Sequence, residues 1–171
     1  MTRYVAFLRG VSPMNCRMPE LRRCFEQAGF EDVKTLLSSG NVAFSAEPDI
    51  VPVLEKQAEE AMQQYLGRTF HTIVRPSRHL QSLIASDPFA AFALPENAKR
   101  ILVLLKQPFE GRLDLPIKRT GAALLQVEHS EAFAFYVPDE ADPGFMNVLE
   151  RSLGKAMTTR TLGTVGKCAA A

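Results

Sequence analysis

The sequence predicts an α+β protein (an α/β plait) made of tandem ferredoxin-like βαββαβ subdomains, the second of them degenerate. Its 171 residues suffice for two small units. The strand and helix patterns follow the order β-α-β-β-α-β over the first 75 residues. A similar but incomplete order follows residue 98. The expected organisation is therefore a first unit over 1–75, a linker with a short helix over 76–98, and a second unit over 99–171 packed on the first. A single larger α+β sheet is the alternative.

The first strand and helix are marked by a change of hydrophobic period. Residues 3–9 are a short apolar run that ends at Gly10, as is typical of a strand. Residues 19–28 then place apolar side chains three and four positions apart, which predicts an amphipathic helix. Pro19 suits its first turn and Gly29 its C-terminal end.

The rest of the first unit is predicted from turn and capping residues. Ser38-Ser39-Gly40-Asn41 separates two β-rich runs, 33–37 and 41–46, and therefore predicts a hairpin. Asp49 is a suitable cap for a second helix that ends at Gly67. Phe70–Val74 is then the fourth strand.

The second unit repeats this order less clearly. A short helix capped by Ser77 precedes it, and residues 100–106 form a strongly apolar strand. The crossover helix is expected within residues 107–120, although two prolines and a glycine limit it to a turn or two. A second hairpin, a helix and a final strand follow, predicted over residues 122–127 and 132–137, from Asp142-Pro143 to Gly154, and over residues 156–160.

The central strands of both units are apolar on both faces. Tyr4–Leu8 and Ile101–Leu105 show no alternation of polar and apolar residues. A sheet with one face in water alternates, so both faces of these strands are expected to be covered. The cover is either the other unit or a second copy of the chain in a homodimer.

Composition and charge exclude several classes of protein. Lys and Arg number 20 against 19 Asp and Glu, so the net charge of +1 gives no overall attraction to nucleic acid or to a membrane. No stretch resembles a signal peptide or a membrane span, and the three cysteines show no CxxC spacing. These features predict a cytoplasmic protein in which Cys24 is a reduced core thiol.

Polar residues collect at one predicted edge of the first unit. In a βαββαβ unit the end of strand one, the start of helix one and the first hairpin share an edge. Arginines, small hydroxyl groups and glycine N–H groups near a helix N-terminus suit a bound anion. The candidate ligand-binding residues there are Arg9, Gly10, Asn15, Arg17, Ser38, Ser39, Gly40 and Asn41, with Gly67-Arg68 beside them. Ordinary turn and capping roles explain the same residues, so both interpretations stay open.

A second polar cluster lies near the C-terminus. Thr158, Thr159 and Arg160 end the last predicted strand, and no acidic residue follows Glu150. This cluster is a candidate phosphate or carboxylate site. It is equally typical of a solvated edge strand, because Thr and basic residues commonly protect such edges.

Motifs of known enzymes are absent. The sequence has no GxSxG, Walker, GxGxxG or HExxH motif, and its three histidines lack metal-ligand spacing. No cofactor or metal is therefore expected, and catalytic activity stays an open question. An RNA-recognition module is disfavoured as well, because the third strand, Asn41–Ser45, carries one aromatic residue where base stacking uses several.

Several spaced motifs are similar to those of a known family. The segments Tyr4–Val11, Met18–Arg22, Gly29-Phe30 and Val33–Val42 and the tail from Thr158 to Lys167 resemble the bacterial family called domain of unknown function 1697. The resemblance covers essentially the whole chain and implies a tandem α/β plait in a bacterial protein, without an activity. The sequence departs from the family pattern in its short loop over residues 11–17. It also has Leu162 where an aromatic residue is usual and Gly163 and Gly166 where polar residues are usual.

Three functional hypotheses follow. The first is a protein that binds a small anionic, phosphate-bearing ligand at the edge formed by Arg9 and Ser38–Asn41. The second is a non-catalytic interaction or oligomerisation module. The third is an enzyme with an acid–base pair that no motif identifies. The anion-binding hypothesis rests on one geometric expectation, that the tip of the first strand and the bend of the first hairpin lie side by side.

Overall fold

A computed structural model describes all 171 residues, which form two compact units. Unit 1 comprises Met1–Leu83 and Gly166–Ala171, and unit 2 comprises Ile84–Val165. Each unit contains one antiparallel sheet, and the chain has five helices, so the α+β class is confirmed. None of these helices combines the length and the apolar character that a bilayer crossing requires.

Unit 1 is built on a four-stranded sheet in the order β2-β3-β1-β4, with every neighbouring pair antiparallel. Its elements agree with the predicted ones to within a few residues. In chain order they are β1 (Thr2–Leu8), α1 (Met18–Gln27), β2 (Glu31–Leu36), β3 (Asn41–Ala46), α2 (Val51–Leu66), β4 (Thr72–Pro76) and α3 (Ser77–Ala85).

The core of unit 1 lies between the sheet and its first two helices. Phe25 of α1, Met62 of α2 and Phe44 of β3 are each fully buried in it. Phe44 contacts Phe30 with ring centroids 4.3 Å apart. Burial of a side chain of this size stabilises the fold by about 1.5–3 kcal/mol. The core therefore joins both helices to the central strands.

Strand β1 is buried on both faces, as its continuous apolar sequence predicted. Tyr4, Ala6 and Leu8 belong to the core of unit 1. Val5 and Phe7 point to the other face of the sheet and have no exposed surface. The tip of this strand therefore holds its position rigidly at the edge where the candidate site lies.

The outer edge of β4 is covered by two carboxylates of α2. The Val74 N–H donates to Glu55 Oε2 at 2.9 Å, and the Thr72 N–H donates to Glu59 Oε2 at 3.3 Å. Glu55 is buried with 1% of its surface exposed. An edge strand normally leaves alternate N–H groups without strand partners, and these side chains supply acceptors for them.

Unit 2 is built on a five-stranded antiparallel sheet in the order β6-β7-β8-β5-β9. One face packs against α4, through Phe145, Val148 and Leu149. The elements after Ala85 are β5 (Lys99–Leu105), β6 (Ile117–Arg119), β7 (Ala122–Glu128), β8 (Glu131–Tyr136), α4 (Phe145–Leu153), β9 (Met157–Thr161) and α5 (Leu162–Ala169).

One prediction for the second half is wrong, and the structure contains one helix there that was not predicted. The prediction of a helix within residues 107–120 is wrong, because this segment contains the strand β6 and no helix. Pro108 and Pro116 lack N–H groups, so helical hydrogen bonds cannot run through the segment. The tail with Gly163 and Gly166 forms the helix α5 despite its low helix propensity. Thr161 caps this helix, because its Oγ1 accepts the Thr164 N–H at 3.3 Å.

Candidate functional site

The tip of β1 and the turn between β2 and β3 lie side by side. The Leu8 N–H donates to the Gly40 carbonyl at 2.9 Å. Gly40 also lies against Val11, which follows the tip of β1. Residues 9–17 and 37–41 therefore form one continuous surface, which we call the hairpin edge. The geometric expectation behind the anion site is met by these contacts.

Three arginines flank the hairpin edge. Arg9 is half-buried at the end of β1, where its N–H donates to the His71 carbonyl at 2.9 Å. Arg17 is exposed and immediately precedes α1. Arg68 is exposed, and its guanidinium carbon lies 4.5 Å from the centre of the Phe70 ring. Neither Arg17 nor Arg68 forms an ion pair within the chain, so both charges are available to solvent anions.

The two asparagines of the predicted site hold the loops in place. Asn15 Nδ2 donates to the Gly10 carbonyl at 2.8 Å, and its Oδ1 accepts the Ser12 N–H at 2.9 Å. Asn41 has no exposed surface, and its Nδ2 donates to the Leu36 carbonyl and to Ser39 Oγ, both at 3.0 Å. These amides therefore shape the edge from within.

The exposed groups of the hairpin edge belong to the turn between β2 and β3 and to the backbone of Gly10. Ser38 and Ser39 are exposed on the turn, and Gly10 is exposed at the tip of β1 with a φ of +85°. The Ser38 hydroxyl makes no hydrogen bond within the chain. Small hydroxyl groups and an unshielded backbone can approach an anion closely.

The Cys16 thiol is buried beside this edge, and its surroundings favour the protonated form. Burial raises the pKa of the Cys16 thiol above 9.0, and the nearby Glu20 carboxylate raises it further. Arg68 lowers the same pKa, which places its positive charge near this thiol. The Glu20 carboxylate and the Arg68 guanidinium therefore both lie near this thiol.

The residues Thr158, Thr159 and Arg160 lie on β9 in unit 2 and contact one another. Arg160 Nη1 donates to Thr158 Oγ1 at 2.9 Å and to the Thr159 carbonyl at 2.8 Å. Arg160 is 9% exposed and Thr158 is 5% exposed. These two bonds join one nitrogen of the guanidinium to its own strand.

Side chains that could ligate a metal do not cluster in this chain. No group of three or more His, Cys, Asp and Glu residues could hold a metal ion. The cysteines at positions 16, 24 and 168 are buried and form no disulfide bond, in agreement with the prediction for Cys24.

Unit 2 contains cavities that the sequence did not indicate. One, of about 470 Å³, lies at the start of α4 and has both acidic and basic walls, including Arg119, Asp142 and Lys155. A second, of about 480 Å³, lies beside β6 and is mostly apolar. The sequence predicted the residues around the second cavity only as loops and hairpin strands. It could not predict the cavity itself, because the apolar side chains that line it come together only in the tertiary structure.

Comparisons with known proteins identify a family and a fold. A family model described as "Protein of unknown function (DUF1697)" matches residues 1–132. A conserved bacterial protein from Streptococcus pneumoniae shares the fold with a TM-score of 0.69 and 18% sequence identity. The alignment covers 99% of this chain and 97% of that protein. No curated protein matches the sequence.

Proposed function

This chain belongs to the DUF1697 family of proteins of unknown function, and we propose that it binds a small, phosphate-bearing anion at its hairpin edge. The single observation that carries this proposal is the pair of contacts that join the two loops. These are the Leu8 N–H to Gly40 carbonyl bond of 2.9 Å and the contact of Gly40 with Val11. They support one surface on which cations and hydroxyl groups meet.

The chemistry of this surface favours phosphate over other small anions. A guanidinium offers two parallel N–H donors that match two phosphate oxygens. Arg17 is exposed, has no ion-pair partner in the chain and immediately precedes α1, whose N-terminus adds a partial positive charge. The Ser38 hydroxyl supplies a donor to a third oxygen. The asparagines keep both loops in place, so that little ordering would accompany binding.

Inorganic pyrophosphate is the probe that tests the proposal, by titration calorimetry and by the amide shifts of residues 10, 38 and 39. We expect Arg17→Gln to weaken binding by about tenfold, since a hydrogen bond to a charged group contributes about 1.5–3 kcal/mol. Arg22→Gln is the matched control, because Arg22 is also exposed on α1 but pairs with Glu26 at 3.7 Å. Binding that is absent, or that both variants weaken equally, refutes the proposed site.

We infer further that both units follow one βαββαβ plan. The order β2-β3-β1-β4 of unit 1 is repeated by β7-β8-β5-β9 in unit 2, and all neighbours are antiparallel in both. In the second copy the irregular segment 107–116 stands where the first copy has α1, and β6 is added at the edge of the sheet. On this plan the copies occupy 1–75 and 99–171 and are joined by 76–98.

A further inference from the structure

A mostly apolar groove in unit 2 lies beside the edge strand β6. Its volume is about 480 Å³, which is within the range of small-molecule sites. We call it the β6 groove. Its walls come from the loop before β5, from β6 and the turn after it, and from β7 and β8. They consist of Ala91, Phe92, Ala93, Leu94, Pro95, Pro116, Lys118, Arg119, Gly121, Ala122, Ala123, Leu125 and Phe135.

The floor of the groove is one face of the sheet of unit 2. Ala123 of β7 pairs with Phe135 of β8, and Leu125, at the β-bulge of β7, also lines the groove. Because the Ala123 side chain is small, the floor of the groove is deeper there than at the larger neighbouring side chains. The opposite face of these strands belongs to the core under α4, through residues such as Leu124 and Ala134.

The loop over residues 91–95 forms an apolar wall. Phe92 and Leu94 are only half-buried there, and Phe135 is half-buried on the floor. Side chains of this size are usually covered by other apolar groups, and partial exposure around a concave surface is typical of a ligand site.

Both cations of β6 line the groove, and Lys118 is the one that leaves the sheet on the groove face. Lys118 pairs with Ala123 across the β6–β7 ladder, so its side chain leaves the sheet on the same face as Ala123 and Phe135. Arg119 pairs with Ala122, whose side chain lies on the opposite face, and it lines both the β6 groove and the cavity at the start of α4. Lys118 is exposed and forms no ion pair within the chain.

Charge and shape together define the ligand. The groove has no carboxylate among its walls, whereas a lysine stands at its rim. We propose that the β6 groove binds an amphipathic monocarboxylate of medium chain length, with the hydrocarbon on Ala123, Leu125 and Phe135 and the carboxylate at the Lys118 ammonium. Each methylene that leaves water contributes about 0.8 kcal/mol, and the ammonium selects the negative end.

Decanoate, used below its micelle concentration, is the probe that tests this site. Amide and methyl shifts in ¹H–¹⁵N and ¹H–¹³C spectra of the full chain should change at residues 92–95, 118 and 123–125. Acetate has the charge without the chain, and decyltrimethylammonium has the chain with the opposite charge. We expect both to leave these signals largely unchanged at the same concentration.

Lys118 and Arg112, two exposed cations of unit 2, provide a matched pair of variants. Lys118→Gln should weaken decanoate binding by about tenfold, as expected for the loss of a charge-assisted contact. Arg112→Gln removes the same charge from a position outside the groove walls and should weaken it by less than about twofold. Both positions are exposed, so both variants are expected to fold. The proposal is overturned if decanoate gives no shifts, if decyltrimethylammonium binds equally well, or if the two variants behave alike.

Discussion

Gly40 lies so close to Val11 that a Cβ atom on the glycine would come within 2.8 Å of the Cβ of Val11. The same Cβ atom would lie 3.1 Å from the Cβ of Leu8. Gly40 also has a φ of +86°, which is unfavourable for residues with a side chain. Backbone conformation and space thus both require glycine at this position, and this close approach brings the turn against the tip of β1.

The substitution Gly40→Ala should destabilise the chain by about 2–4 kcal/mol, measured as the free energy of unfolding in urea. The left-handed conformation costs about 1–2 kcal/mol for alanine, and the forced contact with Val11 adds about 1–3 kcal/mol. Gly10→Ala is the matched control, because Gly10 has a φ of +85° and nothing within 4 Å of its Cβ position. It should cost only the conformational part.

A double variant separates the two contributions at Gly40. Val11→Ala removes the methyl groups of Val11, one of which would lie 2.9 Å from the new Cβ atom. We therefore expect the cost of Gly40→Ala to be smaller in a Val11→Ala background than in the native chain. Equal costs for Gly40→Ala and Gly10→Ala would show that the close approach carries no energetic weight.

The hairpin edge shows what local chemistry can predict and what it cannot. The turn at residues 38–41 is predictable because Ser, Gly and Asn favour turns through interactions within a few residues. The contact of Gly40 with Val11 and the burial of Asn41 depend on residues distant in the chain. For this reason the sequence could predict that the turn lies beside the tip of β1, but it could not predict that Asn41, one of the candidate ligand-binding residues, has no exposed surface.

The substitution Glu55→Ala should destabilise the chain by about 1–3 kcal/mol. It removes the acceptor 2.9 Å from the Val74 N–H, and an unsatisfied buried donor carries a penalty of this size. Glu55→Gln should cost less, since the amide oxygen can still accept. Glu59→Ala serves as the control, because its bond to the Thr72 N–H is 3.3 Å long and less buried. Urea unfolding curves that rank Glu59→Ala above Glu55→Ala would contradict this account.

Unit 2 was less predictable than unit 1 because its short elements depend on tertiary contacts. The three residues of β6 have no helix or strand pattern of their own, and their pairing with β7 defines them as a strand. The β6 groove likewise arises from segments separated in sequence, the loop over 91–95 and the hairpin over 122–136. A single sequence carries no signal for such convergence.

The substitution Gly163→Ala should stabilise the chain by about 0.5–1 kcal/mol. Gly163 lies in the first turn of α5, and nothing lies within 4 Å of its Cβ position. Alanine has a higher helix propensity and reduces the entropy of the unfolded chain. The melting temperature in calorimetry should rise accordingly. Thr161→Ala is the opposing test, because it removes the cap of α5 and should cost about 1 kcal/mol. A lower melting temperature for Gly163→Ala would contradict the free space assigned to this position.

The stability of unit 1 should fall at alkaline pH through Cys24. Burial, with a smaller contribution from Cys16, raises the pKa of Cys24 from an ordinary value of 9.0 to about 11. Because the folded pKa is the higher one, this contribution is complete below pH 9.0 and is lost as the pH rises towards 11. In that window the unfolded chain releases the proton first, so the free energy of unfolding decreases by up to about 1.4 kcal/mol per pH unit.

Cys24→Ala isolates this effect from the titration of other groups. The variant is less stable than the native chain at pH 8, because alanine leaves a small void in the core. Between pH 8 and pH 10 the difference in unfolding free energy between the two proteins should shrink by about 1 kcal/mol, since only the native chain has this thiol to titrate. Urea unfolding with a reductant present measures both values. A difference that stays constant over this range would show that the Cys24 thiol has the same pKa in the folded and unfolded chains.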